Sequence, residues 1–183
     1  MEKTIAEKKL IKLLKSRKTR KEGVDALIMT YQKPLYWHIR KLVINHDDSN
    51  DVLQEVFFRV WRNIDRFNGE SKLFTWLYRI ATNEAIRFLE KKQRLQVFRI
   101  SRQEMLEKAL ETGPLISGDE IQLTLQKAVI QLTERQRLVF NMRYFDELDY
   151  ADIAEILKTT VNNVKVLYHN AKSSIEEQIK RGL

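Results

Sequence analysis

The fold this sequence predicts is all-α: two small helical domains joined by a flexible linker, the C-terminal one a helix-turn-helix. Three observations lead there. Only 5 glycines and 2 prolines occur in 183 residues, too few punctuators for a turn-rich β architecture. No alternating β-branched run bounded by turn residues is present, as strands would require. Between Leu132 and Lys172, three helix-start signals follow one another at Thr133, Asp149 and Thr160, separated by connections short enough to make one compact helical unit.

The elements follow in order along the chain. Residues 4–18 carry Ile5, Leu10, Leu13 and Leu14 with lysines opposite, an amphipathic helix, and the segment 19–23 (TRKEG) breaks it. A second helix runs from Val24 to Val43 with Leu27, Ile28, Tyr31, Leu35, Ile39 and Leu42 buried, and Pro34 is expected to kink or divide it. The polar run 45–50 (NHDDSN) reads as a loop. A third helix follows from Asp51 to about Ile64, a loop spans 65–71, and a long fourth helix from Lys72 to about Arg94 buries Leu73, Leu77, Ile80, Ala81, Phe88 and Leu89. Residues 95–118, with Gly113, Pro114 and Gly118 and no sustained apolar stripe, read as a linker. The expected domains are 1–94 and 119–183.

The C-terminal unit carries the most informative pattern. Thr133 with Gln136 is the T-x-x-Q form of a capping box. Asp149 supplies a carboxylate to cap the next helix. Thr160 opens a third, whose Val161, Val164, Tyr168, Ala171 and Ile175 recur at helical spacing. Only Lys158 and Thr159 separate the last two helices, the turn of a helix-turn-helix, whose second helix can enter the major groove of DNA. Its outward positions are Asn162, Asn163, Lys165, Val166, His169 and Asn170. Asparagine can pair with adenine there, and lysine with guanine or phosphate.

The formal net charge of +8 favours a polyanionic partner. The absence of cysteine excludes disulfides, thiolate zinc sites and cysteine nucleophiles. His38, His46 and His169 lack metal-ligand spacing, and Asp47, Asp48 and Asp51 lack the glycine and glutamate of a calcium loop. No nucleophile–base set or Gly-rich phosphate loop appears, so no catalytic residue, metal or cofactor is expected. No apolar run reaches the about 20 residues of a membrane span. Lysines interrupt any secretory signal, which makes cytoplasmic residence the default.

Two further surfaces stand out. Asp51, Gln54, Glu55 and Phe58 share one face of the third helix, with Val52, Val56 and Val60 as the apolar complement, a pattern suited to docking a basic partner helix. An ordinary solvated face is the competing explanation. From Arg66 to Lys92, a loop containing Phe67, Asn68 and Ser71 precedes a helix bearing Phe74, Trp76, Tyr78, Arg79, Arg87, Lys91 and Lys92. Rings interleaved with cations are the composition that holds unstacked bases, and the loop can supply a pocket for a base turned out of the duplex. The competing explanation is that Trp76 and Phe74 pack the core, which suits Trp76 at least as well.

Taken together, DVLQEVFFRVW (51–61), FNGESKLFTWLYRIATNEA (67–85) and LTERQRLVFNMRYFDELDYADIAEIL with VNNVKVLYHNAK resemble the bacterial extracytoplasmic-function sigma factors. Region two would lie at about 24–94 and region four at about 125–180. The pattern G-E-S-x-x-x-x-W-L-Y-x-I-A-x-N at 69–83 is the specific part, since many repressors carry a helix-turn-helix. The resemblance implies a dissociable initiation subunit of RNA polymerase, not an enzyme. Asp51, Gln54, Glu55 and Phe58 would then dock on a coiled coil of the largest polymerase subunit. Phe67, Asn68, Ser71, Trp76, Tyr78, Arg79, Asn83, Arg87 and Lys91 would capture and melt the minus-ten element, Asn83 falling where the family places an Asn near the flipped base. Thr160, Asn162, Asn163, Lys165, His169 and Lys172 would read the minus-thirty-five duplex, their domain resting on the flap of the second-largest subunit. An anti-sigma factor is a further implied partner, and the linker would thread toward the active-site and RNA-exit channel. Arg87 stands where an acidic residue is frequent. Val166, Leu167 and Asn170 replace the usual Ser-Arg and later Arg, which should weaken phosphate anchoring or shift it to Lys165 and Lys172. Lys158 replaces the turn glycine, at a steric cost if its φ is positive. The alternative reading is a stand-alone helix-turn-helix regulator, which needs a palindromic site and no polymerase.

Overall fold

The computed structural model describes residues 2–95 and 120–181; the expected linker lies, but for Leu95, outside them. Among the described residues there are eight α-helices and no strand. In chain order they are α1 (Glu2–Lys15), α2 (Arg20–Val43), α3 (His46–Asn63), α4 (Leu73–Leu95), α5 (Glu120–Gln131), α6 (Glu134–Phe140), α7 (Tyr150–Leu157) and α8 (Val161–Lys180). A 3-10 turn, Ile64–Arg66, follows α3, and a π-helical segment, Asn141–Phe145, extends α6. No described helix is long and apolar enough to cross a membrane.

Three boundaries differ from the sequence expectation, each for a physical reason. The polar run 45–50 is a helix start rather than a loop. Asn45 is the N-cap and its side chain accepts from the Asp48 N–H at 3.0 Å, while Asp47 and Asp48 sit in the first turn, where the helix dipole favours carboxylates. The break at 19–23 is shorter than expected, because α2 begins at Arg20 and contains Gly23. A Cβ on Gly23 would lie 2.8 Å from the Leu14 nitrogen and 2.9 Å from the Leu13 carbonyl carbon, so the glycine admits the backbone of α1. Pro34 does not divide α2, which is continuous from Arg20 to Val43.

Helices α1–α4 pack around Leu14, Leu27, Leu35, Ile39, Val56, Val60, Leu73 and Leu77, all buried. Burial of one such side chain contributes about 1.5–3 kcal/mol. Helices α5, α6 and α8 close around Ala128, Leu132, Phe140, Ala171 and Ile175. The N-terminal core also continues into Leu138, Val139, Met142, Ile153 and Val164 of the C-terminal half, so the halves share an apolar seam. Val161, expected in the buried stripe of α8, is instead 40% exposed.

Candidate docking and nucleic-acid surfaces

On α3 the heptad-like spacing works as the sequence suggests. Val52, Leu53, Val56 and Val60 are buried, which turns Asp51, Gln54, Glu55 and Phe58 outward, Phe58 to 53% exposure. The face is not isolated. Arg59 Nε lies 3.0 Å from Glu55 Oε1 and 2.8 Å from Glu84 Oε2, outside hydrogen-bond alignment, so the attraction is between charges. Glu84 also takes Arg87 Nη1 at 2.8 Å. A chain of ion pairs thus links the α3 face to α4. Trp61, 42% exposed, and Arg62, over the Phe58 ring at 5.4 Å, extend this surface. Sequence reasoning passed over both; their position one turn beyond Phe58 was the available signal.

The loop before α4 turns at Gly69, whose φ of +81° favours glycine. Asn68 Oδ1 accepts from the Glu70 N–H at 3.2 Å, Asn68 is exposed and Ser71 half-buried. Of the aromatic candidates for minus-ten contact, Phe67, Trp76 and Tyr78 are buried, the core-packing alternative already open for Trp76. Phe67 is 2% exposed, Trp76 9% and Tyr78 2%. Phe67 and Trp76 pack with centroids 5.2 Å apart. Tyr78 lies 4.2 Å from Phe74 and 4.7 Å from His38. Burial, then the nearby Asp146 charge, pushes the Tyr78 phenol well above its ordinary pKa. Phe74, Tyr78, Ala81 and Ala85 form a second stripe at 4-3-4 spacing beside that of Leu73 and Leu77. Both are covered because α4 packs against α2 and α3 and also against α7. Asn83, Arg87 and Lys91 remain exposed at i, i+4 and i+8, while Arg79 is half-buried, 4.0 Å from Glu155.

In the C-terminal half the capping box is present in full. Thr133 Oγ1 accepts from the Gln136 N–H and the Gln136 side chain from that of Thr133. Asp149 stands at the N-cap of α7 without a side-chain capping bond, and its Oδ1 instead lies 3.9 Å from Arg143 Nη1. Lys158 adopts φ 51° and ψ 51°, the left-handed geometry the missing glycine would have supplied. Thr160 caps α8 by accepting from the Asn163 N–H at 3.2 Å, and Asn163 Nδ2 donates to Thr159 Oγ1 at 2.8 Å. Asn162, Lys165, His169 and Lys172 are exposed at i, i+3, i+7 and i+10, one continuous face of α8. Val164, Ala171 and Ile175 hold the opposite side in the core.

The two halves are also joined by polar contacts that no local sequence pattern announces. Asp146, at the end of the π-helical segment, meets His38 Nδ1 at 2.8 Å and is paired with Lys41. Thr82 gives its hydroxyl to the Tyr78 carbonyl, which leaves His38 Nε2 as the donor to Thr82 Oγ1 at 2.9 Å. Burial opposes ionisation of Asp146, but the His38 hydrogen bond and charge, with Lys41, outweigh it and hold the carboxyl below its ordinary pKa. On α7, Asp152 accepts from Lys72 Nζ at 2.9 Å and Thr75 Oγ1 at 3.2 Å. That bond raises the Lys72 pKa. Acidic side chains of α7 therefore sit on Lys72 and Arg79 at the start of α4.

An outward acidic-aromatic face on α3, an outward row of amide and cations on α4 and a helix-turn-helix thus lie on one chain, and family models place that chain in the sigma-70 class. The model of Sigma-70 region 2 matches residues 27–95 and that of Sigma-70 region 4 matches residues 122–175. ECF RNA polymerase sigma factor SigW of Bacillus subtilis is 30% identical over 182 residues, covering 94% of this chain and 96% of that protein. RNA polymerase sigma-H factor of Pseudomonas aeruginosa is 30% identical over 176 residues, covering 87% and 88%. The chain belongs to the extracytoplasmic-function (ECF) RNA polymerase sigma factors, and its function is that of an alternative sigma factor. In fold it matches CnrH, solved in complex with the cytosolic domain of CnrY, at a TM-score of 0.70 with 20% identity over 97% of this chain and 99% of that one. It also matches the sigma factor RpoE, solved with the anti-sigma factor NepR from Bartonella quintana, at 0.67 with 20% identity over 87% and 98%.

Proposed function

We propose that this sigma factor works by binding alone, with three surfaces in three roles and no chemistry of its own. The exposed face Asp51, Gln54, Glu55 and Phe58 docks RNA polymerase core on a basic helical partner in the largest subunit. The loop at Asn68 and Ser71, with Asn83, Arg87 and Lys91 on α4, takes the minus-ten strand. Phe67, Trp76 and Tyr78 act from beneath as the packed floor that holds this loop and helix in place. The face Asn162, Lys165, His169 and Lys172 reads the minus-thirty-five duplex, with Thr160 and Asn163 fixing the start of the helix, and region four rests on the second-largest subunit. Residues 1–94 and 119–183 act as two units, joined through 95–118 and meeting at the apolar seam, and an anti-sigma factor is a natural antagonist of a chain with such surfaces.

The observation that carries this reading is the pairing, on one short domain, of an outward acidic face on α3 with an outward row of amide and cations on α4. A polymerase contact needs the first and a phosphate backbone the second. The test is core affinity, measured by fluorescence anisotropy, for the double variant Asp51→Ala, Glu55→Ala. Loss of at least about tenfold is expected, since truncating interfacial charges costs on this scale, with the far-UV spectrum unchanged because both side chains are exposed. Retained affinity would remove α3 from the docking role.

A further inference from the structure

Capture of a promoter strand by the loop 67–72 requires that loop to hold one shape, and it has few local means of doing so. Lys72 occupies the cap position of α4, its carbonyl accepting from the Trp76 N–H at 3.1 Å. A lysine has no acceptor with which to satisfy the free N–H groups of the first turn, and α4 has no acidic residue in that turn. The missing acceptor comes from α1. Glu7 Oε1 takes the Leu73 N–H at 2.6 Å, placing a carboxylate at the positive end of the helix dipole.

The other end of the loop is held from the same direction. Arg20 Nη2 donates to Asp65 in the 3-10 turn that leads into Phe67, and Arg20 Nε donates to the Leu14 carbonyl near the end of α1 at 3.1 Å. Thr19 Oγ1 donates to the Leu13 carbonyl at 3.1 Å. The backbone of α1 lies against Gly23 at distances that exclude a Cβ, which fixes the angle at which α1 leaves α2. A single capping bond would be ordinary helix-end satisfaction. Here two tethers, spanning 45 and 66 residues of sequence, close on the two sides of one loop.

We propose that α1 and its junction with α2 form a clamp on the loop 67–72, with Glu7 and Arg20 as positioning residues for capture of the minus-ten strand. The clamp lies ahead of residues 27–95, which the region 2 model matches, and so adds an element to the promoter-binding unit. The proposal rests on the loop and α4 being the strand-capturing surface.

The test uses holoenzyme reconstituted from polymerase core and the full chain, on a promoter mapped from the transcripts that this holoenzyme starts. Opening is followed by permanganate reactivity of unpaired thymines, and core affinity is measured in parallel. Glu7→Ala and Arg20→Ala are each expected to slow opening about tenfold, the scale of one charge-assisted hydrogen bond, with core affinity unchanged. Glu7→Gln should recover most of the loss, because its amide oxygen can accept the same N–H. Unchanged opening in both alanine variants would overturn the clamp. So would equal losses of opening and core affinity with no recovery in Glu7→Gln, which is the signature of a merely destabilised domain. If wild-type holoenzyme transcribes yet leaves no reactive thymines near the minus-ten position, the strand-capture assignment falls first and the clamp with it.

Discussion

At Asp146 a carboxylate from the C-terminal half is buried between His38 and Lys41 of α2, with side-chain exposures of 5%, 0% and 12% respectively. Removing one partner of such a group leaves buried charge uncompensated, at a cost of about 3–5 kcal/mol. Asp146→Ala should therefore lower the unfolding free energy by that order in chemical denaturation. The pH dependence has a definite sign. A carboxyl whose folded pKa is depressed contributes stability that is fully present above its unfolded pKa of about 3.9, and loses it as pH falls through the folded value. The stability difference between wild type and Asp146→Asn should shrink as pH falls below about 4. A difference that stays constant as pH falls from about 4 to 2 would place the linkage on another group. Nothing in local spacing marks Asp146, because its partners lie more than a hundred residues away.

At the scale of elements, what was legible in the sequence is what is local. Thr133 with Gln136 and Thr160 with Asn163 act within one turn, so their capping bonds could be read from letters alone. Asn45 obeys the same rule but was hidden in a run polar enough to resemble a loop. The π-helical segment Asn141–Phe145 and the admission of α1 at Gly23 depend on packing between distant elements. The rings of α4 show the same limit: composition said that aromatics and cations share a helix, and only packing on several sides decided that Trp76 and Tyr78 face inward. Lys158 offers a direct check on backbone strain. Its left-handed φ of 51° costs a non-glycine residue about 1 kcal/mol, so Lys158→Gly should raise the melting temperature by a few degrees. A fall in melting temperature would show that the lysine side chain contributes more than its backbone costs.

Across the whole molecule, the seam between the halves combines the shared apolar core with ion pairs on α4. Asp152 and Glu155 occupy Lys72, Thr75 and Arg79, so a nucleic-acid strand reaching Arg79 must displace α7. Lys72 is 62% exposed, and contacts of this kind weaken with salt. Replacing Asp152 and Glu155 together by alanine is expected to enlarge the radius of gyration in X-ray scattering at low salt and to speed acylation of Lys72. An unchanged radius and rate would mean that the apolar seam alone holds the halves together.

The most direct test of the central claim is start-site mapping on genomic fragments with polymerase core, in the presence and absence of this chain. The account predicts that the chain binds core and produces new starts, preceded by common minus-ten and minus-thirty-five elements. A chain that fails to bind core yet holds a palindromic duplex by itself would contradict it and identify a self-sufficient helix-turn-helix regulator.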